Sequence, residues 1–211
     1  MIEHQRLPLF TRYPRVGKTK TRLIPYLGAA GAAKLQRQLT PYVIRQVSHP
    51  QVDLEVQFTG GPLSQMRHWL GPHLSYRPQT AGDLGMRLTA AFAASFQAET
   101  AAALRKRLVL AIGADCPALG RGHIQQALTQ LRQRDVVLGP IQNSGYYLIG
   151  LKQLYPPLFA HIAWGTDQLL DQTLERIRQL GLSVSQLETL QDIDRPEDTA
   201  LWLKRCPPLL S

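Results

Sequence analysis

Cysteine is nearly missing from this chain. The two present, Cys116 and Cys206, are far apart and belong to no Cys-x-x-Cys or Cys/His group, which excludes a disulfide framework and a structural zinc site as organising features. A small buried thiol is the expected role of Cys116. Apolar runs are short: none approaches the roughly 20 residues of a membrane helix, and Met1-Ile2-Glu3-His4 lacks the apolar core of a signal peptide. The expectation is a cytoplasmic protein without a membrane span. Aromatic residues are only 7% of the chain and do not interleave with basic ones in the manner of RNA-binding motifs, so nucleic acid is not an expected partner.

Negative charge is also scarce. Fifteen acids face 24 lysines and arginines, a formal charge of +9, which calls for an anionic partner. The basic residues form local groups at Arg12 to Arg22, Arg105 to Arg107 and Arg132 to Arg134. The first suits a phosphorylated small molecule, and the other two read as solvated ends of helices or loops. No repeat, linker or low-complexity stretch divides the 211 residues, so residues 1–211 are expected to form a single domain.

What is present is a buried strand that stops at an acid. Leu108-Val109-Leu110-Ala111-Ile112 is apolar without alternation, the pattern of a strand covered on both faces of a parallel sheet. It ends at Gly113-Ala114-Asp115-Cys116-Pro117, and ligands of open α/β sheets collect beyond such carboxyl ends. Asp115 is therefore a candidate for handling a metal or a phosphate, with capping of the next helix as the alternative.

A first strand, His4 to Phe10, leads into five cations within the eleven residues from Arg12 to Arg22. Gly17-Lys18-Thr19 resembles the end of a P-loop, but Arg12 stands where that motif needs its first glycine, so a P-loop is set aside. The remaining reading is a loop in which Lys20 and Arg22 meet a diphosphate and Gly17 lets the backbone approach closely. Gly28 to Val47 is helical by period, and Pro41 predicts a kink or break. Val52 to Thr59 alternates as a strand, Leu63 to Leu70 reads as a short helix, and His73 to Pro78 as a third strand. That strand delivers Gln79, Gly82, Asp83 and Gly85 to the opening of an alanine-rich helix running to about Leu104. These residues could grip a base or ribose, or Asp83 could only cap the helix.

After the central strand come a helix from about Gly122 to Gln133, a strand from Asp135 to Pro140, and a polar turn, Gln142-Asn143-Ser144-Gly145, that enters an apolar strand at Tyr146. Asn143, Ser144 and Gly145 suit a sugar or an acceptor, and equally suit a tight turn. Thr166 reads as the cap of a helix through about Leu180, Val184 to Leu190 as a last strand, and Pro196 as the first turn of a terminal helix.

Taken together, three stretches resemble a bacterial family of GT-A-like transferases. They are Phe10-x-Arg12-x-Pro14-x-x-Gly17-x-x-Lys20-Thr21-Arg22-Leu23, then Gly82-Asp83-Leu84-Gly85-x-Arg87 with Gly113-x-Asp115-Cys116-Pro117, and then Gly139-Pro140 through Gly145-Tyr146-Tyr147-Leu148-Ile149-Gly150-Leu151. Trp164-x-Thr166 and Asp192-x-Asp194-x-Pro196-Glu197-Asp198 are similar too. Members are described as glycosyltransferase-like, radical-SAM/selenodomain-associated transferases, with a domain of unknown function.

The resemblance implies a Rossmann-like, three-layer α/β/α GT-A fold with a mostly parallel mixed sheet, which would bind a nucleotide diphosphate. By the same resemblance Arg12, Gly17, Lys20, Thr21, Arg22, Gln79, Gly82 and Asp83 would contact the nucleotide. Asp115 and Asp194 would share a magnesium or manganese ion, and Lys20, Arg22, Asp115 and Asn143 would carry the chemistry. Asn143, Ser144, Gly145, Tyr146, Trp164 and Thr166 would face the acceptor. The family usually has Asp-Gly-Gly-Tyr-Tyr where this chain has Asn143-Ser144-Gly145-Tyr146-Tyr147, and an amide keeps hydrogen bonding but is not a base. Three functions follow: a metal-dependent glycosyltransferase using a nucleoside-diphosphate sugar, a nucleotidyltransferase joining a nucleoside triphosphate to a phosphorylated small molecule, and a non-catalytic nucleotide-binding protein. The oligomeric state is left open.

Overall fold

The computed structural model describes residues 4–97 and 107–205. Cys206, Arg105 and the tail of the alanine-rich helix lie outside these residues. Seven strands, β1 (His4–Arg12), β2 (Val52–Thr59), β3 (Ser75–Pro78), β4 (Arg107–Gly113), β5 (Val136–Pro140), β6 (Tyr146–Leu151) and β7 (Val184–Gln186), form one sheet in the order β3-β2-β1-β4-β6-β5-β7. All pairings are parallel except those of β6, which runs against β4 and β5.

Helices cover both faces. Leu108, Leu110 and Ile112 point into a core shared with α1 (Ile24–Val47), α2 (Leu63–Leu70), α4 (Arg121–Leu131) and α6 (Thr199–Arg205). Val109 and Ala111, the alternate positions, face α3 (Leu84–Gln97) and α5 (Leu169–Gln179). The uninterrupted apolar run of β4 is thus explained by burial on both faces. The three-layer architecture agrees with the sequence expectation.

One expectation fails at Pro41. Helix α1 continues through it, and its non-helical backbone lies instead at Gly28, with φ +70°. Pro41 has no N–H to offer the carbonyl of Arg37, and the indole Nε1 of Trp69, on α2, donates to that carbonyl at 3.0 Å. The helix keeps its course because a neighbouring helix supplies the missing donor. Trp69→Phe should therefore lower stability by about 1 kcal/mol, the net worth of one hydrogen bond, as read by urea unfolding.

Other boundaries shift by a few residues. The helix expected at Thr166 begins at Leu169, and Thr166 closes a local turn, its hydroxyl donating to Ala163 O (2.8 Å). The last strand ends at Gln186, although the chain stays against β5: Leu190 N donates to Pro140 O (3.0 Å) and Gln142 N to Leu190 O (3.1 Å).

At the start of β5 the Asp135 carboxylate accepts from the backbone N (2.9 Å) and hydroxyl (2.6 Å) of Ser183. These bonds, the hydroxyl's first, hold its pKa below the usual carboxylate range. A depressed folded pKa contributes stability that is present above the unfolded value and lost as pH falls through the folded one. Asp135→Ala should cost about 1 kcal/mol at pH 7, allowing for partial exposure. The gap to wild type should close below about pH 4, in denaturation curves taken from pH 7 to pH 3.

Candidate functional site

A cleft of about 470 Å³ opens at the carboxyl ends of β1, β2 and β4. Of the residues singled out in the sequence, Arg12, Lys20, Thr21, Arg22, Gln79, Asp115 and Asp194 line it. The end of β1 supplies Arg12, and the β1–α1 loop supplies Lys20, Thr21 and Arg22. It is folded by Thr19, which is buried and whose hydroxyl donates to Tyr13 O (3.1 Å) while accepting from Arg15 N (3.1 Å). Gly17 turns the loop with φ +74°, and nothing lies within 4 Å of where its Cβ would stand. The glycine is needed for that dihedral rather than for close approach.

Lys20 follows in the left-handed region, φ 50°, a conformation that costs a non-glycine residue on the order of 1 kcal/mol. What holds it there is its side chain, only 4% exposed, whose Nζ lies 2.7 Å from Asp115 Oδ1 and donates to Ile193 O at 2.6 Å. The contact with Asp115 is an ion pair whose angles fall outside those of a hydrogen bond. Arg22 pairs with Asp194.

Asp194 reaches the cleft on a segment that runs along the end of the sheet. Ile193, fully buried, donates its N–H to Asp115 O (2.9 Å), and Cys116 Sγ donates to Gln191 O (3.4 Å). The buried carboxylate of Asp198 folds the segment by accepting from Asp194 N (3.1 Å), Arg195 N (2.7 Å) and Gln191 Nε2 (2.8 Å). Cys116 is buried as expected, and burial pushes its thiol up to about 11.

The sequence reading missed Asp192. Its Oδ1 is buried without a hydrogen-bond partner. Its pKa is raised to about 6, chiefly by burial and then by the charges of Asp115 and Asp194, against the attraction of Lys20. Three carboxylates are thus close enough to repel one another, although no group of three or more His, Cys, Asp or Glu among the described residues is arranged to hold a metal ion. The reading also passed over Arg87 and Leu84, both on the cleft wall; their only signal was their place in the Gly82–Arg87 stretch.

Other candidates stand elsewhere. Asp83 Oδ1 accepts from Met86 N (2.8 Å) as the cap of α3, and Asp83 lines a second cavity of about 650 Å³ with Gly85, Met86 and Phe159. Gly82 takes φ +104° there, its missing Cβ position occupied by Met86. Trp164 stacks on Phe159 and lies over Gly85. Tyr146 packs into the core beside α5. Asn143, Ser144 and Gly145 form the β5–β6 turn, with Ser144 at φ 62° and its carbonyl accepting from Leu170 N (2.8 Å). The strand register sets this turn at the same edge of the sheet as Asp115, but not on the cleft wall.

Fold and cleft together define the class: this is a nucleotide-diphospho-sugar transferase-like fold. A Desulfovibrio desulfuricans G20 protein provisionally described as a nucleotide-diphospho-sugar transferase matches 97% of this chain and 92% of its own, with 28% identity and a TM-score of 0.84. Within that class the chain belongs to the family described as uncharacterized protein conserved in bacteria (DUF2064), whose pattern matches residues 43–166. At 10% identity the same fold occurs in a 4-diphosphocytidyl-2C-methyl-D-erythritol synthase from Anaerococcus prevotii DSM 20548 (97% of this chain, 100% of that one, TM-score 0.61). It occurs also in a CMP:2-keto-3-deoxy-manno-octonic acid synthetase complexed with CTP (10% identity, 96% and 97%, TM-score 0.56). No curated protein matches the chain. No helix among the described residues is long and apolar enough to cross a membrane.

Because Asp198 alone gathers three donors, Asp198→Ala should cost about 2–3 kcal/mol by leaving them unmet. Asp198→Asn, which keeps an acceptor oxygen, should cost less than half of that in the same denaturant titration.

Proposed function

We propose that this protein is a metal-dependent transferase that binds a nucleoside-diphosphate sugar and passes the glycosyl group to an acceptor. The observation that carries the reading is the meeting of Lys20 with Asp115 and of Arg22 with Asp194 on one cleft at the carboxyl edge of the sheet. Cations facing acids there provide both partners of a diphosphate: donors for its oxygens and carboxylates for a divalent counter-ion. Magnesium or manganese suits the chemistry of these donors, although the acids stand paired with Lys20 and Arg22 and form no ready-made metal group among the described residues. Asp115 and Asp194 offer hard oxygen ligands, and the orphaned Asp192 Oδ1 beside them lacks any donor of its own. Such an ion would neutralise the charge of the leaving diphosphate.

In this reading Lys20 and Arg22 hold the diphosphate oxygens and stabilise the charge that grows on them as the sugar departs. Arg12 and Thr21 complete the phosphate contacts from the loop. Gly82 and Asp83 do not line this cleft, and their part is to fold and cap the turn that leads into α3. The acceptor would approach over β6 and β5, where Asn143 and Ser144 stand at the sheet edge; Asn143 has no hydrogen bond among the described residues and its amide is available to orient a hydroxyl, though not to deprotonate it.

A second reading, nucleotidyl transfer from a nucleoside triphosphate, is favoured by one feature. Arg12, Arg15 and Lys18 surround a small cavity next to the cleft and have no acid partner among the described residues, spare charge that suits a third phosphate. Titration calorimetry with nucleotide sugars and nucleoside triphosphates, with and without magnesium, separates the readings. Tighter binding and turnover of a nucleotide sugar support glycosyl transfer; turnover of a triphosphate to pyrophosphate replaces it with nucleotidyl transfer; binding without turnover of either overturns the enzyme. Asp115→Asn should lose at least tenfold in magnesium-dependent affinity while staying folded with a lowered thermal transition, since Lys20 keeps an acceptor oxygen there but loses its counter-charge. Unchanged affinity would remove Asp115 from the metal site.

A further inference from the structure

Arg87 is a cation without an acid. Its guanidinium lines the cleft from the first turn of α3, yet among the described residues it forms no ion pair and only one hydrogen bond, a long one of 3.5 Å from Nη1 to Gln79 Oε1. Its Nε–H is buried and unpartnered. An arginine carries five N–H donors in a planar fork. The Nε–H is shielded, so the Nη donors of this lining side chain are the ones left for whatever enters the cleft.

The orientation of this fork is fixed by Gln79. The Gln79 Nε2 donates to Thr11 O (3.2 Å) and to Gln57 O (2.8 Å), which uses both of its hydrogens. The carboxamide cannot flip without losing both bonds, so Oε1 stays toward Arg87. Gln79 is thereby a positioning residue, tied to β1 and β2, and its amide nitrogen is not available to a ligand. Phe10 and Leu84, the latter 38% exposed, give the same cleft apolar wall. Arg87, Gln79 and Leu84 belong to the β3–α3 connection and the start of α3, whereas Lys20, Asp115 and Asp194 come from the β1 loop, the end of β4 and the segment after β7. The cleft is therefore lined by charged side chains from one set of elements and, from another, by a donor fork with an apolar neighbour.

We propose that Arg87 reads the base of the bound nucleotide and selects a base with two adjacent acceptors on one edge: guanine through O6 and N7, or cytosine through N3 and O2. The inference rests on the nucleotide reading above. Along the reachable edges of adenine and uracil an acceptor stands next to an N–H, so a side chain that only donates leaves one of its own hydrogens unmet and faces another. Paired, forked hydrogen bonds are where arginine and lysine differ most.

The test is calorimetry with GDP, CDP, ADP, UDP and inorganic pyrophosphate, in magnesium, on wild type, Arg87→Gln and Arg87→Lys, each checked for an unchanged thermal transition. Wild type should bind GDP or CDP at least tenfold tighter than ADP and UDP, and the stronger of the two arms identifies the base. Arg87→Gln, which has lost the donor-only fork, should lose the preference for GDP or CDP, Arg87→Lys should keep only part of it, and both should bind pyrophosphate as wild type does. A preference for GDP or CDP retained undiminished in Arg87→Gln overturns the proposal, as do four equal affinities in wild type. Absent pyrophosphate binding would instead sink the diphosphate reading, leaving the two failures distinguishable.

Discussion

A buried ammonium organises this cleft. Lys20 has lost nearly all its water, and a lone charge so placed is costly enough that the fold must surround it with acceptors. The two it meets, Asp115 at the end of β4 and the carbonyl of Ile193, belong to segments 78 residues apart. One side chain from the β1 loop therefore ties that loop, the central strand and the segment after β7 into a single wall. The strained backbone of Lys20 is tolerated because these contacts over-determine it.

That arrangement also governs what the site can bind. Lys20 and Arg22 are already compensated by Asp115 and Asp194, so an incoming diphosphate would share their charge rather than meet bare cations. A divalent ion bound by the same acids would return the balance, which ties anion and metal affinity together. Arg12, Arg15 and Lys18 stand outside this balance and supply positive charge without an acid partner among the described residues, at a small cavity that shares Arg12 and Lys18 with the cleft.

The second cleft wall follows a different logic. Gln79 is anchored by two backbone carbonyls and turns its oxygen to Arg87, so a neutral side chain sets the direction of a charged one. The sequence reading offered Gln79 to a ligand and passed over Arg87. The hydrogen-bond inventory divides them, one to hold and one to read.

Much of the architecture was legible before folding was considered. The apolar run Leu108 to Ile112, the alternation in Val52 to Thr59 and the glycine and proline breaks marked the strands, because burial on one face or two writes itself directly into residue order, while the three-layer form was what the family resemblance implied. The basic loop and the acid after β4 were likewise visible as local pattern. What only the tertiary structure decided was pairing between distant segments: that Trp69 would rescue the helix at Pro41, that Asp198 would fold the stretch carrying Asp192 and Asp194, and that Asp192 would be left with a buried, unmet oxygen. The spacing of residues along a chain records which faces are covered. It does not record which donor, brought from 30 or 170 residues away, meets which acceptor, because that depends on the packing of the whole sheet.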